Sequence, residues 1–271
     1  MKNQIIILGT GAATSSVYKP FDYRHPAGYL LQHNNKNILI DCSEGIRFRL
    51  ESLKIDFFSI DDIFISHFHP DHFDLETFVQ AVFVKARNIK KEKSLTVYGP
   101  KNIKESFNEI WDLKHFPGAY EKVLLKTINI KFFELQDGTL ISLKNTIRFT
   151  PYNVFHQGGL MDCYAFNIKL LDKTLTYSGD SGNCNGLVKA AENTDIFICE
   201  SNANIGQDNS STVGHLNPYQ VGLIAKNAGV KHVILTHYTG KDSQNEMKEE
   251  VSRSGFKGKI SIAKDFQTIP L

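Results

Sequence analysis

The stretch Ser66-His67-Phe68-His69-Pro70-Asp71-His72 decides the reading of this chain. It sets three imidazoles and one carboxylate within the six residues from His67 to His72, directly after the apolar run Ile63-Phe64-Ile65. Imidazole and carboxylate donors together suit zinc and its first-row neighbours. Their lone pairs converge on one tight turn, which is costly without a cation. The spacing suggests two ions rather than one. His67 and His69 lie two apart and can point the same way from an extended segment. Asp71 and His72 follow the turn at Pro70 and can face a second ion. The alternative reading is a histidine-rich surface loop that holds nothing.

Further donors stand where strands are expected to end. His156 follows Thr150-Pro151-Tyr152-Asn153-Val154-Phe155, Asp180 ends Leu175-Thr176-Tyr177-Ser178-Gly179-Asp180, and His237 ends Val233-Ile234-Leu235-Thr236-His237. Rigid strands with chemistry at their ends are how sheets build sites. Gly179 allows a sharp turn before Asp180. Singly, each histidine reads as a hydrogen-bonded structural residue, and Asp180 as a turn-former or helix cap. Their joint occurrence behind the His67–His72 run favours a site.

Length and composition place these groups in a globular α/β protein. The chain has 271 residues, enough for one large domain or two small ones, and a formal net charge of +2. That balance does not announce a nucleic-acid binder. The densest basic run, Lys85 to Lys93, reads as a solvated helix end rather than a phosphate-binding strip. The four cysteines, Cys42, Cys163, Cys184 and Cys199, form no Cys-x-x-Cys pair, so neither a zinc knuckle nor a disulfide frame is indicated. Cys163 and Cys199 read as small core residues. The apolar run Ile5-Ile6-Ile7-Leu8 is too short for a signal-peptide core or a membrane span. The expectation is a cytoplasmic protein without a membrane segment.

Strands are expected at 4–8, 29–33, 37–41, 62–66, 95–98, 128–134, 139–142, 146–151, 164–170, 174–178, 196–200, 232–236 and 259–262. Asn34-Asn35 and Asp172-Lys173 are expected as hairpin turns. Helical patterns cover 45–53, 75–86, 217–228 and 243–254, the last two opening on Pro218 at a first-turn position and on a capping Ser243. Hairpins, then a helix, then hairpins, then β-α-β argue for two mixed sheets with helices in one domain, 1–271. The segment 99–123, with Trp111, His115, Phe116, Pro117 and Tyr120, is a candidate active-site cover whose aromatics either stack on a ring or simply pack.

Taken together, the motifs resemble the metallo-β-lactamase-fold hydrolases, and within them the ribonuclease Z and phosphodiesterase branch. The matching pieces are Leu8-Gly9-Thr10-Gly11, Leu39-Ile40-Asp41-Cys42-Ser43-Glu44-Gly45, the His67–His72 run, His156, Tyr177-Ser178-Gly179-Asp180, Glu200, Gly214-His215 and Leu235-Thr236-His237. The resemblance implies a four-layer αββα sandwich of two mixed β-sheets flanked by helices. It implies one metal on His67, His69 and His156, another on Asp71, His72 and His237, and Asp180 bridging them. Two Zn²⁺ are expected, with Mn²⁺ or Fe as alternatives, and a hydroxide shared by the ions would be the nucleophile. Asp71 would orient or deprotonate that water. Asp41 would steady a ligand imidazole, or else be a strand-end turn residue. His215, backed by Glu200, would protonate a departing alkoxide; otherwise it is a helix-capping loop histidine.

The chain departs from ribonuclease Z in one large respect. That enzyme carries a tRNA-gripping arm between its third and fourth metal motifs, and here only a hairpin's length separates His156 from Asp180. Cys199, Leu216-Asn217 and Phe73-Asp74-Leu75 also replace common family residues. The expected function is a dinuclear phosphodiesterase acting on a nucleotide or other small phosphodiester, with tRNA disfavoured as substrate. The alternatives are a lactone, carboxylic ester or thioester hydrolase with the same metals, and a non-catalytic metal-bearing RNA-binding or scaffold protein. A homodimer is a candidate state, with Phe57-Phe58 as an exposed apolar segment to form it.

Overall fold

The computed structural model describes residues 3–13, 23–110, 126–143 and 146–271. They fall into two compact units, each built on one seven-stranded mixed sheet.

The first unit takes its described residues from Met1–Leu8, Ala27–Glu134 and Phe266–Leu271. Its strands are β1 (Gln4–Gly9), β2 (Gly28–His33), β3 (Lys36–Ile40), β4 (Ile60–Phe64), β5 (Lys93–Gly99), β6 (Ile128–Glu134) and β14 (Thr268–Pro270), in the order β14-β1-β2-β3-β4-β5-β6. β2 and β3 form the expected hairpin. Asn34 and Asn35 hold φ of 49° and 61°, which asparagine tolerates better than most residues. From β3 to β6 the pairing is parallel, so each step needs a crossover. Helices α1 (Ile46–Ser52), α2 (Leu75–Ile89) and α3 (Ile103–Ile110) supply these crossovers. α2 buries Leu75, Phe78, Val79, Val82, Phe83 and Ala86, the face its spacing predicts, against Ile63, Ile65, Leu95 and Val97 of the sheet. Each such Leu, Val or Phe side chain contributes about 1.5–3 kcal/mol by leaving water.

The second unit takes its described residues from Gly9–Pro26 and Leu135–Asp265. It carries β7 (Ile141–Leu143), β8 (Ile147–Val154), β9 (Cys163–Leu170), β10 (Lys173–Tyr177), β11 (Ile196–Glu200), β12 (His232–Thr236) and β13 (Lys259–Ile262), in sequential order across the sheet. β7 to β10 pair antiparallel and β10 to β13 parallel. Helices α4 (Asn185–Ala191), α5 (Pro218–Asn227) and α6 (Gln244–Arg253) follow β10, β11 and β12. Capping boxes at Asn217/Gln220 and Ser243/Glu246 open α5 and α6. Both units therefore repeat one plan, antiparallel strands followed by parallel strands with crossover helices.

Several local expectations need correction. The β9–β10 turn is Leu171-Asp172, because Leu170 pairs with Lys173; the one-residue shift puts Leu171 at the exposed tip. α3, α4 and the three-residue edge strand β14 are absent from the sequence reading. Phe57 is not an exposed dimer contact. It is buried, its ring edge-on to Phe78 at 6.3 Å, and Phe58 packs against the same core. Of the expected cover segment, α3 accounts for 103–110, while Trp111, His115, Phe116, Pro117 and Tyr120 lie outside the described residues. In the basic run, Lys85 of α2 pairs with Asp56 at 2.6 Å, whereas Lys93 opens β5, is buried and pairs with Asp61 at 2.5 Å, so that end of the run is not a solvated helix end. None of the four cysteines is in a disulfide. Burial pushes the Cys42 and Cys199 thiols well up, so they stay protonated and pack as small apolar groups. Among the described residues no helix is long and apolar enough to cross a membrane.

Candidate functional site

Within each unit the donors stand at or just beyond strand ends; most follow strands with a parallel neighbour, the usual place for sites in such sheets, whereas His156 follows the antiparallel β8. In the first unit, Asp41 directly follows β3 and His67 is the third residue after β4. Asp41 is fully buried and left-handed, with φ 56°. Such a φ costs on the order of 1–2 kcal/mol in a non-glycine residue, and the hydrogen bonds of its carboxylate offset it. Oδ1 accepts from Ser66 N–H at 2.8 Å. Oδ2 accepts from the Ser66 hydroxyl at 2.9 Å and from His72 Nδ1–H at 2.8 Å. Since Ser66 spends its hydrogen on Asp41, His67 Nδ1, 3.0 Å from Ser66 Oγ, is the donor of that pair. Both imidazoles are thereby fixed with hydrogen on Nδ1 and a lone pair on Nε2, the tautomer a metal needs.

Chain turns bring the remaining donors of this unit alongside. His72 N–H and Phe73 N–H both donate to His69 C=O, closing the turn through Pro70. The His67 ring lies 4.7 Å from that of His69 and 4.2 Å from that of His72. Asp71 Oδ2 is 3.9 Å from His72 Nε2. Beneath the loop, the buried Arg49 donates to Ser43 Oγ at 2.6 Å and to Glu44 C=O at 2.9 Å, and Ser43 Oγ donates to Ala27 C=O. A guanidinium thus braces the segment that carries Asp41.

The second unit supplies His156, Asp180 and His237. His156 Nδ1–H donates to Gly214 C=O at 2.9 Å, leaving its Nε2 lone pair toward Asp180 Oδ2 at 3.8 Å. Burial pushes His156 down toward the neutral form, against the opposing pull of Asp180. The other carboxylate oxygen, Asp180 Oδ1, is 3.4 Å from His237 Nδ1. Two ligands each about 2.1 Å from a tetrahedral ion stand roughly 3.4 Å apart. A lone pair aimed at a carboxylate repels it unless a cation lies between, so this donor set fits a metal, and each Asp180 oxygen faces its own histidine. His237, like Asp41, is left-handed, with φ 48°. Non-glycine residues in that region gather at functional sites. Gly214 (φ 83°) is required twice over, since a Cβ there would meet His156 Cα at 2.6 Å.

His215 stands beside this group, its ring 4.8 Å from that of His156 and 6.1 Å from that of His237. Asp180, His215 and His237 each offer a ligand atom within 4.8 Å of one another. Yet both His215 ring nitrogens are engaged elsewhere. Nδ1–H donates to Glu200 Oε1 at 2.9 Å and Nε2 meets Asn202 Nδ2 at 3.2 Å. Glu200 is fully buried at the end of β11 and also accepts from Ser181 N–H at 3.1 Å and Asn202 N–H at 2.8 Å. Glu200 and His215 form the pair expected from the sequence. Sequence reading missed Ser66 and Asn202. Ser66 touches the motif directly, whereas nothing in the chain around Asn202 flags it.

The family model for anti-Pycsar protein Apyc1 matches residues 3–261. The chain belongs to the Apyc1 family. This Apyc1-family chain is 28% identical to the probable metallo-hydrolase YhfI of Bacillus subtilis (strain 168) over 240 residues, covering 88% of this chain and 89% of YhfI. It is 25% identical to ribonuclease Z of Saccharolobus solfataricus over 265 residues, covering 86% and 88% of the two chains. The crystal structure of the metallo-β-lactamase fold protein YhfI from Bacillus subtilis matches it with a TM-score of 0.80 at 24% identity, over 99% of each chain. The Apyc1-family chain is thus a metallo-β-lactamase-fold hydrolase, ribonuclease Z-like, with a histidine–aspartate cluster suited to metal.

Proposed function

We propose that this protein is a single-domain, dinuclear metal-dependent phosphodiesterase acting on a nucleotide or another small phosphodiester. In this reading His67, His69 and His156 hold one ion, Asp71, His72 and His237 hold the other, and Asp180 bridges. Zn²⁺ suits the donors best, with Mn²⁺ or Fe as substitutes. Bound there, divalent ions lower the pKa of water toward neutrality and offset charge on a phosphoryl oxygen.

The observation that carries the choice of a diester is the Glu200–His215 pair. An alkoxide leaves phosphorus poorly without a proton, and His215 Nε2 can supply one while Glu200 keeps Nδ1–H in place. Its side chain is 14% exposed, enough to meet a substrate while the Glu200 carboxylate remains buried. Asp71, only partly buried, would orient or deprotonate the attacking water. The hairpin-length connection between His156 and Asp180 supports a small substrate over tRNA.

Asp41 supports the reading from behind. Asp41→Asn leaves one oxygen for three donors, so either Ser66 or His72 loses its acceptor. Metal affinity is expected to fall about 10–100-fold, measured by zinc competition against a chromogenic chelator. The function itself is tested by presenting metal-loaded protein with bis-aryl phosphodiesters, cyclic nucleotides, lactones and thioesters. Diester cleavage is expected to dominate; strong lactone cleavage with none of the diesters touched would reverse the assignment.

A further inference from the structure

Residue 202 grips both members of the Glu200–His215 pair. Its backbone N–H donates to Glu200 Oε2 at 2.8 Å, and its side-chain Nδ2 stands 3.2 Å from His215 Nε2. Glu200 Oε1 takes the opposite ring nitrogen, Nδ1, at 2.9 Å. Glu200 Oε1 accepts in that bond, so Nδ1 carries hydrogen, and Nε2 presents its lone pair to the Asn202 amide. The ring is therefore held at two opposite points rather than one. The far end of that amide, Asn202 Oδ1, is buried without a hydrogen-bond partner. Such an orphan carbonyl is unfavourable, because burial strips its water without replacing it.

A carboxamide has two ends of nearly equal size and opposite role. Nδ2–H donates to a bare Nε2; after a half-turn, Oδ1 accepts from Nε2–H and ceases to be an orphan. We propose that Asn202 is a positioning residue for His215, holding the ring at one orientation through Oδ1 until the leaving oxygen displaces it from Nε2–H, and again through Nδ2–H once Nε2 is bare. The proposal rests on reading His215 as the acid of a phosphodiesterase. Without Asn202 the ring pivots on the Nδ1–Glu200 bond, and Nε2 leaves the line to the departing oxygen.

The test compares Asn202→Ala and the near-isosteric Asn202→Leu on two diesters. Bis(p-nitrophenyl) phosphate expels a phenolate that needs little protonation, whereas a 3′,5′-cyclic nucleotide expels an alkoxide. In both variants the ratio of kcat on the cyclic nucleotide to kcat on the aryl diester is expected to fall about tenfold or more, part of what a general acid contributes. The change should lie in kcat rather than KM, with wild-type metal content. Equal falls on both substrates, a change confined to KM, or lost metal would overturn the proposal. His215→Ala, run alongside, separates the two readings. If its ratio holds, the acid assignment fails and takes this inference with it. If its ratio falls and those of the Asn202 variants do not, only the role of Asn202 fails. A crystal structure of the unaltered protein with the carboxamide out of reach of Nε2 overturns the proposal even if neither variant folds.

Discussion

Asp180→Asn is expected to lower turnover by ~10³-fold or more and to release at least one equivalent of metal. The magnitude follows from where the carboxylate sits. Its oxygens face different histidines, His156 Nε2 at 3.8 Å and His237 Nδ1 at 3.4 Å. An amide keeps one oxygen but turns an N–H₂ toward the other histidine, so one ion loses a negative ligand and meets a donor. Removing a partner that only orients a ligand costs about 10–100-fold, and removing a ligand that two ions share, as Asp180 is under the proposed function, should exceed that. Metal analysis of the purified variant, with turnover measured in saturating zinc, checks both halves. Full metal content with near wild-type turnover would remove Asp180 from the site.

His215→Ala is expected to slow cleavage of alkoxide-leaving diesters by about 10²–10⁴-fold, the usual contribution of a positioned acid. The loss should shrink steeply as the leaving group becomes more acidic, because a phenolate departs without help. Glu200 is what makes the large figure reasonable. It is buried, receives three N–H groups and fixes the His215 tautomer. The plot of log kcat against leaving-group pKa is the decisive measurement. A steeper slope for the variant than for the wild type is the expected result, and parallel lines would show that His215 does not protonate the leaving group.

Much of the fold was legible because its signals are local. β11, β12 and β13 match the expected bounds residue for residue, since each is a short apolar run rich in Ile, Val, Phe or Leu bounded by turns or polar residues. The α2 face was legible from its 3.6-residue spacing. α4 was not. Its seven residues bury only Leu187, Ala190 and Ala191, too few for a period to emerge. β14 is three residues long and exists because β1 offers an edge, pairing Gln4 with Pro270 across the whole length of the chain. Phe57 was misjudged for a related reason: side-chain chemistry alone does not tell that a ring meets Phe78.

The candidate site divides along the same line. By itself the sequence determined which groups are present and at which strand ends they stand: His67, His69, Asp71 and His72 on one turn, and His156, Asp180, Glu200, His215 and His237 each closing or following a strand or leading into a helix. Ligand type and strand period are properties of a few consecutive residues, so they survive in one dimension. Tertiary structure alone decided how those groups are oriented. Asp41 sets the His72 tautomer from 31 residues away, Gly214 sets that of His156 from 58 away, and Asn202 meets His215 across 13. A hydrogen bond acts over about 3 Å of space regardless of how much chain separates its partners, and only folding brings such atoms within that distance.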